Sequence, residues 1–168
     1  MTTYTLSGGT AVYRSPATDA VVGVDQTGIT LELVVPDATA TFSYTVNPLA
    51  PGDQPGGDET VNIAGDSYTL RINGVTYAPG TEPEFSIFQV GWTDAGNVAR
   101  SSTVLIPFLE TDFVPGLGNV QSDFIFVIAG DALPVLNTPA DWTALEGGIT
   151  GIAVPTGAFG PGVDIPLN

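Results

Sequence analysis

The stretch Val61-Asn-Ile-Ala-Gly-Asp-Ser-Tyr-Thr-Leu-Arg-Ile-Asn-Gly-Val-Thr-Tyr77 decides the fold class. Asn73-Gly74 is the strongest short hairpin signal, because a type I′ turn needs positive φ at both central residues. A two-residue loop fixes the register, so Ile72 should face Val75, Arg71 should face Thr76 and Leu70 should face Tyr77. Upstream, Gly65-Asp66 is a second two-residue turn candidate. It sets Ile63 opposite Tyr68 and Val61 opposite Leu70. Side chains alternate faces along a strand. Both turns therefore place Val61, Ile63, Tyr68, Leu70, Ile72, Val75 and Tyr77 on one face. Turn chemistry and apolar pattern agree on a three-stranded meander.

Working outward, the rest of the chain reads the same way. Thr3–Leu6 is a first strand, broken at Gly8-Gly9 and resumed over Thr10–Tyr13. Ala20–Val24 follows, then the turn residues Asp25 to Gly28, then the alternating strand Ile29–Val35. Ala40–Val46 puts Phe42, Tyr44 and Val46 on one face. Asn47–Glu59, with its clustered Pro and Gly, is a loop. Phe85–Trp92 puts Phe88, Val90 and Trp92 on one face and Phe85 and Ile87 on the other, as a strand covered on both sides would. Val98–Phe108 is long, and Pro107 and Pro115 bracket its end. Asp123–Ala129 is short, apolar, β-branched and aromatic, hence a buried strand. One helix is expected, over residues 139–146. Thr138 is its N-cap, Pro139 its first residue, Asp141 the partner of a capping box, and Gly147 its stop. At about two turns it is too short to stand alone and should plug an open end of the sheet structure. Gly148–Val154 is a last strand. The chain is thus all-β: a β-sandwich of about eight to ten strands, or alternatively a partly open barrel. Residues 1–155 form a single β domain, and residues 156–168 a Gly/Pro-rich tail or linker.

Composition narrows the function. The 168 residues hold 21 Gly and 14 Pro, as an all-β protein with many turns would. The net charge is −15, from 18 acidic residues against three arginines (Arg14, Arg71, Arg100), with no Lys and no His. A nucleic-acid surface needs clustered cations, so no nucleic-acid partner is expected. An anionic membrane surface is disfavoured for the same reason. No apolar run reaches the ~18 residues of a membrane span, so no membrane insertion is expected. There is no Cys, which removes disulfides and thiol chemistry. The N-terminus lacks the basic and apolar regions of a Sec signal.

Without His, Cys or Lys, the usual triads and Schiff bases cannot be built. Carboxylate pairs remain for glycoside hydrolysis: Glu82 with Glu84, and Glu110 with Asp112. Among 18 acids such pairs arise by chance. Calcium is the metal that acidic loops could take. Asp53, Asp58 and Glu59 cluster in one loop, and Asp94 with Asn97 lies in another, neither at EF-hand spacing. Solvated turn carboxylates are the plainer reading. Trp92, Trp142 and the tyrosines could form a sugar-stacking platform, yet both tryptophans fall on core faces. No catalytic or cofactor-binding residue is assigned, no cofactor is expected, and the metal ligands are left open.

The run Gly65-Asp-Ser-Tyr-Thr-Leu-Arg-Ile-Asn-Gly-Val-Thr-Tyr77, the opening Met1-Thr-Thr-Tyr-Thr-Leu6, and Gly130-Asp-Ala-Leu-Pro-Val-Leu-Asn-Thr-Pro-Ala-Asp-Trp142 carry a likeness. The chain resembles the N-terminal β domains of large acidic proteins of marine alphaproteobacteria. Those proteins often carry calcium-binding RTX repeats or a Hint domain further on and leave the cell by type I secretion. RTX repeats are missing here. The resemblance implies an accessory domain at the cell surface or outside the cell, exported without a Sec signal. The expected function is therefore a non-catalytic structural or interaction domain of a secreted or surface protein, with a protein or glycan partner. A carbohydrate-binding module, calcium-assisted, is the alternative, and a carboxylate-based hydrolase the remoter one.

Overall fold

A computed structural model describes residues 2–35, 42–46, 48, 50–51, 61–64, 69–77 and 84–165. The chain opens with two long antiparallel strands, β1 (Thr2–Arg14) and β2 (Val21–Val35). A short strand β3 (Ser43–Val46) pairs with β4 (Val61–Ala64) as a separate two-stranded ribbon. Then come β5 (Thr69–Ile72), β6 (Val75–Tyr77), β7 (Glu84–Thr93), β8 (Ala99–Val114) and β9 (Gly118–Gly130). One helix, α1 (Pro139–Gly147), and a last strand, β10 (Ile149–Ala153), complete the elements that position the rest. Eight strands form one antiparallel sheet in the order β10-β7-β8-β9-β1-β2-β5-β6. Its ends, β10 and β6, do not pair with each other, so the sheet is open. The all-β class and the short helix near residues 139–146 are as expected.

The Asn73-Gly74 hairpin forms in the expected register: Ile72 opposite Val75, Arg71 opposite Thr76, Leu70 opposite Tyr77. Both turn residues have positive φ, 49° and 80°. The Asn73 side chain adds a reason for the turn, since its Oδ1 accepts from Thr30 N at 2.9 Å. The meander does not extend upstream as expected. Leu70 lies opposite Leu33 of β2, not Val61, and Val61–Ala64 pairs with β3, setting Ile63 opposite Tyr44. Gly65-Asp66 and Tyr68 lie outside the described residues. The physical reason is that β2 offers a longer apolar partner, with Leu31 and Leu33 buried at 3% and 4% exposure beside Leu70 and Ile72. Cross-strand apolar pairs of this kind are the unit of sheet stabilisation.

Both strand breaks in the N-terminal region prove to be bulges within continuous strands. Between Leu6↔Leu31 and Gly9↔Ile29, β1 gains a residue; between Gly9↔Ile29 and Ala11↔Asp25, β2 gains two. Gly8 and Gly28 take φ of 74° and 106° there, values an L side chain rarely adopts. Paired bulges bend both strands at one place. The bend folds the sheet over itself. Leu31, Leu33 and Leu70 from one half meet Phe85 and Leu105 from the other around a void of about 10 Å³. The result combines the two expected architectures: two layers across one core, joined through bent continuous strands, with the edges left open.

The sheet is covered on both faces. Alternation sends Ala11, Leu105, Phe124 and Phe126 to one core, which Phe42 and Tyr44 of the ribbon region complete. It sends Val12, Val104 and Ile125 to a second core, with Val90, Trp92, Leu136 and Leu145. β7 divides as expected, Phe85 and Ile87 to the first core, Phe88, Val90 and Trp92 to the second. Strand β8 runs through Pro107 instead of ending there, and Pro115 opens the following turn.

Helix α1 has the expected N-terminus. Thr138 accepts from Asp141 N, and Asp141 accepts from Thr138 N, the two halves of a capping box. It ends one residue late, with Gly148 as C-cap. It does not plug an end of the sheet but lies on a face, where Leu145 enters the second core and Trp142 packs against it. The last described residues are not a free tail. Ile165 is 5% exposed in the first core, Ile165 N donates to Phe42 O, and Gly162 N donates to Tyr44 O. Burying Ile165 offsets the ordering of a Gly-rich segment.

Candidate functional site

The carboxylates come first, since they are the only plentiful reactive groups. Asp94 Oδ1 accepts from Gly96 N and Val98 N, at 2.8 and 2.9 Å, and its Oδ2 takes Arg100. The Val98 hydrogen bond foremost holds its carboxyl below the usual range. Asn97 sits in the same turn at φ 58° and donates its backbone N–H to Asp94 O. This loop closes on itself through backbone groups. Asp141 is likewise held low, by the Asn137 N–H first and then by Thr138. Asp25 Oδ1 accepts from Thr27 N and Thr27 Oγ1. Asp131 Oδ2 accepts from Ser101 N at 2.9 Å. Asp112 Oδ2 accepts from Ser122 Oγ at 2.7 Å, while Glu110 points to solvent. Glu110 and Asp112 are therefore not a facing pair, and a register shift separates Leu109 from Asp112. Asp53, Asp58, Glu59 and Glu82, and the side chain of Glu84, lie outside the described residues. Among the described residues no group of three potential metal-ligating side chains converges.

All three arginines are in ion pairs. Arg14 meets Glu146 at 2.8 Å and Asp123 at 3.4 Å, tying the helix to the sheet. Glu146 stands near the helix C-terminus, where the dipole disfavours an anion, and Arg14 compensates. Burial works against the Arg14 charge, yet Glu146, Asp123 and Asp19 outweigh it and raise its pKa. Arg100 reaches Asp94 and Asp131, and Arg71 reaches Glu32 at 3.5 Å. These last pairs are exposed and contribute little each.

Trp92 offers no open ring face for a sugar. Trp92 is 3% exposed, and its Nε1 donates to Ser102 Oγ, which donates on to Asp131 O. Trp142 is half-buried, with Nε1 enclosed and without a hydrogen-bond partner. Tyr13 is pushed up in pKa, by burial first and then by Asp25 and Asp112. That places two carboxylates near one phenol, a grouping invisible in the sequence because the three come from different strands.

The concavity that stands apart from these structural contacts lies where β1 parts from β9. Only Thr10–Arg14 of β1 pairs with β9, over Gln121–Ile125. Where that pairing ends, an open groove of about 280 Å³ lies over the second-core face of the sheet. Ser7, Gly8 and Thr10 of β1 and Ile125 and Val127 of β9 line it. Leu133 and Gln26 close it from the side. Gln26 is the organiser. Its Nε2 donates to Thr10 Oγ1 and Pro134 O, and its Oε1 accepts from Leu136 N, so one carboxamide pins residues 134–136 to the sheet. The lining holds no charged side chain. Sequence reading missed this site. Its only signal was the Gly8-Gly9 pair, read as a strand break.

No protein-family model matches the chain, and no curated protein and no solved structure matches it either.

Proposed function

We propose that this chain is a non-catalytic structural or interaction domain of a secreted or surface-exposed protein. One observation carries the reading. The described carboxylates that make hydrogen bonds or ion pairs hold turns, a helix cap and interstrand contacts: Asp94 and Asp25 in turns, Asp141 at the cap, Asp112 on Ser122, Asp131 on Ser101. In a carboxylate-based glycoside hydrolase two carboxyl groups flank the scissile bond, about 5–10 Å apart, and face the substrate. Here they bond the protein's own backbone and side chains. The strongly acidic, Lys-free composition suits a solvated exterior in salt, and the likeness to domains of type I secreted proteins agrees with a place outside the cell.

Two experiments test this. The purified chain, incubated with a panel of soluble polysaccharides, should release no reducing ends. Release that disappears in Asp112→Asn or Asp25→Asn would overturn the non-catalytic reading. Antibody raised against the chain should label intact source cells or their medium. Signal only after lysis would overturn the assignment to the exterior.

A further inference from the structure

We infer that Asn73-Gly74 is a self-modification site: Asn73 converts to aspartate or isoaspartate through a cyclic imide, and the β5–β6 hairpin keeps it silent while docked on β2. The first question is which asparagine can react. The nitrogen of the following residue must attack the side-chain carbonyl, so bulk on that residue slows the step. Asn62, Asn97, Asn119 and Asn137 precede Ile63, Val98, Val120 and Thr138, all β-branched, and Asn47 precedes Pro48, which has no N–H. Asn73 precedes glycine. Both turn residues are exposed, and a Cβ placed on Gly74 would meet nothing within 4 Å.

The step balances with water as the only co-reactant. Hydroxide removes the Gly74 amide proton, and the nitrogen bonds to Cγ of Asn73. The Cγ–Nδ2 bond breaks, and ammonia leaves with a proton from water, which returns the hydroxide. Water then opens the imide. Opening at one carbonyl restores the main chain as aspartate. Opening at the other routes the main chain through Cβ and Cγ as isoaspartate.

The docked hairpin blocks the first bond. Asn73 and Gly74 have φ of 49° and 80°, the pair of a type I′ turn. In that turn ψ of the first central residue is about 30°, which sets the next nitrogen nearly opposite Cβ and out of reach of Cγ. Thr30 of β2 fastens the turn in this state twice. Its carbonyl accepts from Asn73 N at 3.0 Å, and its N–H donates to Asn73 Oδ1 at 2.9 Å. The element that can release is the hairpin itself. β5 and β6 stand at one end of the sheet, β5 pairs with β2 over residues 69–72, and Val75 and Thr76 are exposed. Short, exposed end elements open at the low end of a protein's local free energies. Once the hairpin lifts, ψ is free and the ring can close. The change is one-way. Isoaspartate adds a main-chain carbon to a two-residue turn whose length fixes the register from Ile72↔Val75 to Leu70↔Tyr77. Either product adds negative charge to a chain already at −15.

The test incubates the full chain at mildly alkaline pH, digests it, and reads Asn73 by peptide mass and by methyl transfer from an isoaspartyl methyltransferase. Unfolded in guanidinium, the chain should convert Asn73 ahead of every other asparagine. Folded, it should convert Asn73 at least about tenfold more slowly, which is an opening free energy of about 1.4 kcal/mol. Ile72→Val trims the buried residue that holds β5 to β2 and should speed the folded reaction by about two- to tenfold. Ile87→Val, as deeply buried but in β7, should leave the parent rate unchanged. Equal acceleration by the two variants would make global unfolding the gate and overturn the role of the hairpin. No acceleration by Ile72→Val, or a folded chain that reacts as fast as the unfolded one, would overturn it as well. Failure of Asn73 to convert first in guanidinium would overturn the site itself.

Discussion

Gly9→Ala tests the corner on which the fold turns. Gly9 sits between the two bulges that bend β1 and β2 together. A Cβ there would lie 2.5 Å from Cε1 and 2.7 Å from Cζ of Phe126. Real Cβ contacts do not come so close, and Phe126 is 2% exposed in the first core. Either the ring or the strand must move. Overpacking a filled core costs about 1–3 kcal/mol. Against that, Ala narrows the unfolded ensemble and returns about 0.4–1 kcal/mol. A net loss of about 1–2 kcal/mol follows, or about 2–8 °C in melting temperature for a chain of this length. The assay is urea unfolding of Gly9→Ala, Phe126→Leu and the double variant. Leu lacks the Cε1 and Cζ atoms that the added methyl would meet. The double variant should therefore be more stable than the sum of the single losses, with a coupling of about 1 kcal/mol or more. Additive losses, or a Gly9→Ala protein as stable as the parent, would refute the close approach of β1 to β9 at this point.

Asn73→Ala should cost about 2–3 kcal/mol in urea unfolding, from the left-handed φ of 49° and the lost Thr30 hydrogen bond together; Asn73→Gly should cost less, since only the hydrogen bond goes. Tyr44 is 1% exposed and its hydroxyl donates to Phe159 O at 2.8 Å, so Tyr44→Phe should lose about 1–2 kcal/mol and loosen the docked C-terminal segment, read as faster amide exchange at Gly162 and Ile165. Burial pushes the Tyr44 phenol from 10.0 up to about 12, so its contribution is complete below pH 10.0 and is lost as pH rises towards about 12; Tyr44→Phe should flatten alkaline unfolding in that window. Asp141 is held below its ordinary 3.8, so its contribution is complete above that pH and fades as pH falls through the folded value; the stability difference between the parent and Asp141→Asn should shrink on acidification below pH 3.8, and a constant difference would count against the capping box. Asp94→Asn should lower the melting temperature by the same amount in calcium and in chelator at matched ionic strength, because both carboxylate oxygens already have partners; a loss seen only in calcium would make this turn a metal site.

Local chemistry was legible and non-local choice was not. The Asn73-Gly74 register follows from two adjacent turn residues, and the Thr138–Asp141 cap from residues three positions apart, so the local sequence carries both. The two faces of β7 were legible for the same reason, since alternation is a property of one strand. The partner of Val61–Ala64 was not. Its apolar pattern fits any apolar edge, and the selection of β3 over β5 depends on β2 having already taken Leu70. Gly8 and Gly28 show the limit most clearly. Glycine marks a turn or a bulge equally well, because both need positive φ. What separates them is whether the ladder resumes in register on the far side. At Gly8 it resumes with β2 and not with β9. That asymmetry makes the split, and the split is the candidate site. A strand break would have placed two short strands side by side and closed the sheet. A bulge leaves one continuous strand that belongs to β9 over Thr10–Arg14 and departs from it before Thr10. The groove and the bend that closes the core are thus two consequences of one local deformation. Substitutions that straighten it, Gly8→Val or Gly28→Val, force an L side chain to positive φ and should weaken core packing, read as a lower melting temperature than the parent.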